Sequence, residues 1–334
     1  MIPNTIICGD NLTILRTWPD ERVNCCVTSL PYWGLRDYGV EGQLGLEKTP
    51  EEYTAKMVEI FREVKRVLKD DGTLWLNLGD SYSLGASGTR DQERWPKQSR
   101  NNGGRTNMNR LNAGMKPKDL VGIPWMVAFA LRADGWYLRQ DIIWSKPNPM
   151  PESVTDRCTK AHEYIFLMSK SAKYYYDGEA IKEPVANGTT ERMLRGVSDH
   201  HKNVNGAPGQ TPHSMNQPRQ HKTAITPGQS PQGKALKRMS GLKDPDYQNR
   251  NKRSVWTVTT KPYKGAHFAT FPQDLILPMI LAGCPKGGVV LDPFMGSGTT
   301  AYVAREQGRK YIGIELNPKY IELAEKRLEQ GVLF

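Results

Sequence analysis

Two short stretches carry residue types at spacings suited to chemistry: Ser29-Leu30-Pro31-Tyr32-Trp33-Gly34, and Leu291 to Thr300, which reads LDPFMGSGTT. In the second, an apolar run stops at the acid Asp292 and a proline, and Gly296-Ser297-Gly298 then makes a tight turn. Strand, glycine turn and helix form a place for a nucleotide-like cofactor at the strand's carboxyl end. A phosphate cradle would close on Gly-Lys-Ser/Thr, whereas Thr299 and Thr300 follow the glycine; a dinucleotide site would carry a further glycine three residues on, and none stands there. A purely structural turn remains open. In the first stretch, a small polar residue, a proline and two aromatics ahead of a glycine are too rigid and too apolar for an ordinary solvent loop. The alternative is a turn whose aromatics belong to the core.

The elements that must position these stretches follow from hydrophobic periodicity. Val289 to Leu291 reads as a buried strand feeding the glycine turn, with a helix over Thr300 to Gln307. Val23 to Thr28 reads as a strand opening into Ser29. Thr5 to Cys8 predicts a strand ending at Gly9-Asp10, with a short helix from Asn11 to Thr17; Asp10 suits either a nucleoside contact or a helix N-cap. Met57, Ile60, Phe61, Val64 and Leu68 fall at helical spacing within Glu51 to Leu68, and Gly72 to Leu78 reads as the next strand. Further on come a helix in IPWMVAFALRADG, strands over Trp136 to Trp144 and Ala161 to Ser169, a helix ending at Gly283, a strand from Tyr311 to Ile314 ending in Glu315, and a helix from Pro318 to Glu329. Alternating helices and strands predict a parallel sheet.

At 334 residues the chain exceeds one ~150-residue domain but suits one large α/β domain with an inserted module. A hydrophobic fraction of 38% supports a real core, and the net charge of +11 points to a polyanionic partner. No apolar stretch approaches the ~20 residues that span a bilayer. The start, MIPNTIICGD, lacks a signal peptide's basic opening and apolar run, so a cytoplasmic protein without a membrane partner is expected. The five cysteines form no CxxC pair, so no metal site is expected and the thiols should be free.

The charge is localised. Tyr82 to Pro117 is rich in Gly, Ser, Asn and Arg and reads as a long flexible loop. Between Arg192 and Arg253 stand twelve Lys and Arg against three Asp, which accounts for nine of the eleven excess positive charges. This segment is either a disordered linker or a recognition insert whose cations meet phosphates and whose Gln, Asn and Arg meet base edges; the second reading is preferred.

Taken together, the two stretches resemble a known pair. Asp-Pro-Phe-x-Gly-Ser-Gly-Thr-Thr is similar to the S-adenosylmethionine motif of DNA amino-methyltransferases, and Ser-Leu-Pro-Tyr-Trp to their catalytic (Ser/Asn/Asp)-Pro-Pro-(Tyr/Phe) motif. The likeness extends through KPKDLVGIPW, WSKPNPMP and HFATFPQDL, and is absent from the basic insert. Catalytic motif first and cofactor motif last is the circularly permuted order of that family's β group. The resemblance implies a Rossmann-like α/β fold, a mostly parallel seven-stranded sheet with helices on both faces. It implies a catalytic half over 1–185, with a flexible loop at 82–117, a target-recognition insert over 186–255 and a cofactor-binding half over 256–334.

It also implies roles. Ser29, Leu30, Pro31 and Tyr32 would be catalytic: Ser29 Oγ and the Leu30 carbonyl accept from an exocyclic amino group, and Tyr32 stacks on a base flipped from duplex DNA. S-adenosylmethionine would lie against Asp10, Phe268, Thr270, Pro272, Asp292, Phe294, Gly296, Ser297, Gly298, Thr299, Thr300 and Glu315. Of these, Glu315 would hold the ribose hydroxyls, Asp10 the adenine amino group and Phe268 to Pro272 the methionine moiety. From the insert's charge rather than the likeness, Arg219, Lys222, Lys237, Arg238, Arg250, Lys252 and Arg253 would meet DNA, together with Trp33 beside the catalytic stretch. Leu30 departs from the family, where proline is usual, and should leave the loop less rigid. A cytosine-C5 mechanism is set aside, because Cys284 precedes rather than follows a proline. Cytosine N4 is favoured over adenine N6, since a serine-led motif followed by Tyr-Trp leans that way in the resembling families. A DNA-binding protein that keeps the fold without catalysis, or a methyltransferase of RNA or protein, are the rivals. The same resemblance admits a homodimer and a separately acting restriction endonuclease.

Overall fold

Side chains along β2 (Val23–Ser29) alternate between two faces, and both faces are covered. On one, Cys26 joins the main apolar cluster with Leu74, Leu76, Leu291 and Ile312. On the other, Cys25, Thr73 and Trp75 meet Gly283 at the end of a helix. Period-two alternation with both faces buried is what a central strand between two helical layers requires. The computed structural model describes residues 2–34, 39–83, 114–185, 249–260 and 271–330.

The chain runs β1 (Thr5–Cys8), α1 (Asn11–Arg16), β2, α2 (Pro50–Val67), β3 (Leu68–Leu78), α3 (Ile123–Ala133), β4 (Tyr137–Ser145) and β5 (His162–Ser169). A short hairpin, β6 (Glu183–Pro184) with β7 (Asn249–Arg250), and β8 (Val255–Thr257) follow. Last come α4 (Gln273–Gly283), β9 (Val289–Asp292), α5 (Thr299–Glu306), β10 (Lys310–Glu315) and α6 (Pro318–Gln330). Among the described residues the main sheet has eight strands in the order β1-β10-β9-β2-β3-β5-β4-β8. Its pairings are parallel except those of β5, which is antiparallel to β3 and β4. The expected sheet had seven strands; the addition is β8, three residues laid parallel to β4 at the edge. The structure is an α/β Rossmann-like fold, as the motif pair implied.

Local chemistry explains the boundaries. Thr49 caps α2 by accepting from the Glu52 N–H at 3.1 Å, and Pro50 opens the helix where no N–H is needed. Its buried stripe is Tyr53, Met57, Ile60, Phe61, Val64 and Val67. The helix passes straight into β3 at Leu68, earlier than the expected strand start at Gly72. Val23 pairs with Leu68 but Cys25 pairs with Thr73, so the exposed Lys69, Asp70 and Asp71 are looped out of register. No helix among the described residues is long and apolar enough to cross a membrane.

Two compact units divide the chain, residues 1–180 with 253–334, and residues 181–252. Within the second, β6 and β7 pair antiparallel and Arg250 Nε meets Glu183 Oε1 at 3.1 Å. Most of the basic insert, with Arg219, Lys222, Lys237 and Arg238, and residues 84–113 of the arginine-bearing loop lie outside the described residues.

Packing is close where α4 ends on the sheet. A Cβ on Gly283 would stand 2.4 Å from Trp75 Nε1, 2.8 Å from Thr73 Oγ1 and 2.9 Å from Cys25 Sγ. Gly283→Ala is therefore expected to destabilise the protein by about 1–3 kcal/mol through overpacking. Urea unfolding checks this: the midpoint should fall while the slope stays constant, and an unchanged midpoint would contradict the packing described.

Candidate active site

Strands β1, β10, β9, β2 and β3 lie side by side and parallel, so their carboxyl ends share one edge of the sheet. Both motif stretches, with Asp10 and Glu315, come to that edge. Cys8 is level with Glu315 and Gly313 with Asp292, and the Gly9 N–H donates to the Glu315 carbonyl at 3.0 Å. Asp10, Glu315 and the glycine turn therefore stand on neighbouring strands, as a ligand lying across strand ends requires.

Asp292 is fully buried. Its Oδ1 accepts from Thr28 Oγ1 at 2.6 Å and from the Phe294 N–H at 3.0 Å, and its Oδ2 from Thr300 Oγ1 at 2.7 Å. The carboxylate thus braces the end of β9, the end of β2 and the start of α5. Burial pushes it up to about 6 against the pull of these three hydrogen bonds. Thr300 also reaches the Val27 carbonyl, and Thr299 Oγ1 accepts from Arg327 at 2.7 Å, so both threonines face inward as supports. Gly298 has φ +76°, and a Cβ on it would lie 2.7 Å from Ala324 of α6. Helix α6 closes directly on the turn.

Glu315 uses Oε2 to accept the Gly296 N–H and Oε1 to accept the Asn317 N–H, each at 2.8 Å. Burial raises its pKa and these backbone bonds lower it. Asp10 caps α1 through Oδ2, which accepts the Thr13 N–H at 2.8 Å. Ser297 Oγ is buried and has no hydrogen-bond partner among the described residues. An orphaned hydroxyl on a glycine turn, between strand-end acids, fits a polar nucleoside-bearing ligand. Phe294 packs on the core and Pro272 is buried at the start of α4, while Phe268 and Thr270 lie outside the described residues.

The Ser29 stretch continues from β2, one residue past the Thr28 hydroxyl that holds Asp292. Leu30 is buried and its N–H donates to the Asn77 carbonyl at 3.4 Å, a bond that proline could not make. The Tyr53 hydroxyl donates to the Pro31 carbonyl at 2.9 Å, and the Gly34 N–H to the Gly45 carbonyl at 2.8 Å. The loop that leucine was expected to loosen is pinned along its length. Trp33 is a correction: expected to meet DNA, it is 3% exposed in the core with Nε1 donating to the Glu47 carbonyl at 2.9 Å. Tyr32 Oη donates to Glu163 Oε2 at 2.6 Å. Glu163, Lys146, Asn77 and Gly79, which frame Tyr32, were missed from sequence; the available signal was a lone acid in the apolar run of β5 and a lysine ending WSK. Burial raises Cys284 to about 12 and raises Cys25 and Cys26, so none of the three supplies a thiolate.

Asp292 makes stability depend on pH. Below its ordinary value of 3.8 the acid is protonated folded or unfolded and costs nothing. Between 3.8 and about 6 the unfolded chain releases the proton first, so stability falls as pH rises; above about 6 the whole cost is present. The difference is roughly 3 kcal/mol. Chemical unfolding of wild type and Asp292→Asn between pH 4.5 and 7 should show this slope in wild type and a flatter profile in the variant; parallel profiles would refute it.

Known proteins resemble this chain over nearly its whole length. A family model described as DNA methylase matches residues 23–326. Type II methyltransferase M.Cfr9I of Citrobacter freundii is 44% identical over 97% of this chain and 87% of its own length. M.SmaI of Serratia marcescens is 44% identical over 97% of this chain and 90% of its own. Among solved structures, the PvuII cytosine-N4-specific DNA methyltransferase has a TM-score of 0.58 at 16% identity, covering 98% of this chain and 86% of that one. A putative DNA modification methylase of Thermus thermophilus, complexed with S-adenosyl-L-methionine, has a TM-score of 0.56 at 20% identity over 99% and 95% of the two chains. The chain belongs to the DNA methylase family whose members modify adenine N6 or cytosine N4.

Proposed function

We propose that this enzyme methylates the N4 amino group of cytosine in duplex DNA, at a base turned out of the helix, with S-adenosylmethionine as methyl donor. The observation that carries the reading is the Thr28 to Asp292 hydrogen bond, which joins the strand that leads to Ser29 to the strand that leads into the glycine turn. When bound, S-adenosylmethionine supplies a methyl group activated by a sulfonium. Asp10, Ser297 and Glu315 stand where its nucleoside would lie, with the Asp292 brace behind them. Ser29 Oγ and the Leu30 carbonyl accept hydrogen bonds from the two amino hydrogens, which draws the nitrogen lone pair out of conjugation with the ring. Held this way, the amino nitrogen would accept the methyl group in line with the departing thioether sulfur, and the resulting cationic nitrogen would lose a proton to water. Holding the two reactants in line supplies much of the rate. Tyr32 offers a stacking face for the extruded base.

The choice of cytosine rests on the serine-led motif; adenine presents an amino group of the same geometry. We also assign the permuted motif order to the β group and DNA contact to the basic insert, including Arg219, Lys222, Lys237, Arg238, Arg250, Lys252 and Arg253. We further assign the enzyme to a restriction-modification setting in the cytoplasm, with a cognate endonuclease acting separately; relatives named type II methyltransferases support the first of these.

Purified protein incubated with S-adenosylmethionine and duplex DNA, followed by nucleoside mass spectrometry, should yield N4-methylcytosine. N6-methyladenine would overturn the choice of base, and methylation of RNA or protein but not DNA would overturn the substrate. Ser29→Ala should lower kcat by roughly a hundred-fold with cofactor affinity unchanged. A normal rate in that variant would remove Ser29 from the chemistry.

A further inference from the structure

Tyr32 is held by a charged cluster that the motif reading leaves unused. Its hydroxyl donates to Glu163 Oε2 at 2.6 Å. The same oxygen accepts from Asn77 Nδ2 at 3.3 Å, and Glu163 Oε1 is ion-paired with Lys146 Nζ. Asn77 comes from β3, Glu163 from β5, and Lys146 follows the last residue of β4. Both charged side chains are largely withdrawn from water, 12% exposed for Glu163 and 18% for Lys146. An ion pair this far from solvent adds little net stability, because desolvation offsets its attraction. Its effect on the tyrosine is direct. A phenol that donates to an ionised carboxylate carries more negative charge on its oxygen and in its ring. The ring is also seated against the main chain at the end of β3, where a Cβ on Gly79 would stand 2.7 Å from Tyr32 Cε2. Lys146 Nζ lies 4.3 Å from the centroid of the Trp144 ring.

We propose that Glu163 is a positioning residue for methyl transfer: its carboxylate fixes the plane of Tyr32 and enriches the ring's π face toward the positive charge that develops on the reacting amino nitrogen. This rests on the reading of Ser29 to Tyr32 as the catalytic stretch. Asn77 and Lys146 hold the carboxylate from its other sides, so its direction toward Tyr32 is set by three strands rather than by one flexible side chain. Glu163 acts through Tyr32 and need not touch the DNA.

The test is a double-mutant cycle in the full chain with Glu163→Gln and Tyr32→Phe, reading kcat, KM for DNA, S-adenosylmethionine affinity and the thermal midpoint. Each single variant should lower kcat on the order of ten-fold, with KM and cofactor affinity little changed. In the Tyr32→Phe background Glu163→Gln should have no further effect on kcat; an equal loss in both backgrounds overturns the proposal. If Glu163→Gln unfolds because Lys146 loses its partner, Glu163→Gln combined with Lys146→Met removes both charges. A folded double variant whose kcat stays depressed supports the proposal, and recovery of the wild-type rate overturns it. Tyr32→Ala separates the two levels. Undiminished methylation there overturns the catalytic reading along with the inference, whereas lost methylation with a background-independent Glu163 effect overturns the inference alone.

Discussion

A buried carboxylate that accepts two threonine hydroxyls and one amide is the contact on which the site depends. Thr28 and Asp292 are 264 positions apart in sequence, yet their hydrogen bond joins the strand that leads to Ser29 to the strand that leads to the glycine turn. Removing either hydroxyl would leave a charged oxygen in the sheet with fewer donors to offset its desolvation. The acid is therefore a brace more than a contact for ligand. Its position at the meeting of β2, β9 and α5 explains why Thr300 turns inward, while in the glycine turn the Ser297 hydroxyl has no partner among the described residues.

Rigidity of the Ser29 stretch comes from its surroundings. A second proline at Leu30 would fix one dihedral angle but would forgo the bond to the Asn77 carbonyl. Here the main chain is held by Asn77, Tyr53 and Gly45, and the two aromatic side chains by Glu163 and Glu47. The two aromatics divide the work: Trp33 anchors the loop in the core, while Tyr32 stays half-buried at the edge with its hydroxyl spoken for.

Most elements were legible because the apolar residues repeat at helical or strand spacing. Helix α2 shows this through its Met57 to Val64 stripe, and β9 through its abrupt stop at Asp292. Misreadings arose where tertiary contacts set the outcome. The looped Lys69 to Asp71 hid the first pair of β3, since three charged residues read as a turn. The three-residue β8 is too short to show a period. Trp33 was given to DNA because an aromatic beside the motif looks the same in sequence whether it faces a groove or the core. Glu163 escaped notice for the opposite reason: one acid in an apolar strand gains meaning only when Tyr32 arrives from 131 positions away. The basic insert was legible as charge, and charge says which partner is attracted without saying where each cation sits.

The strand order has a bearing on how the protein is made. Strand β2 sits between β3, which follows it closely in the chain, and β9, which begins only at Val289. Until the ribosome has delivered β9, the strand that leads to Ser29 has one open side, with unpaired main-chain groups and apolar faces that could pair with another chain. Strand β1, emerging well before either, waits longer still, because its neighbour is β10. On the proposed placement of the methyl donor, a nascent chain that already carries the Ser29 stretch lacks the rest of the site until β9 and β10 have emerged, which would tie modifying activity to synthesis of these late strands.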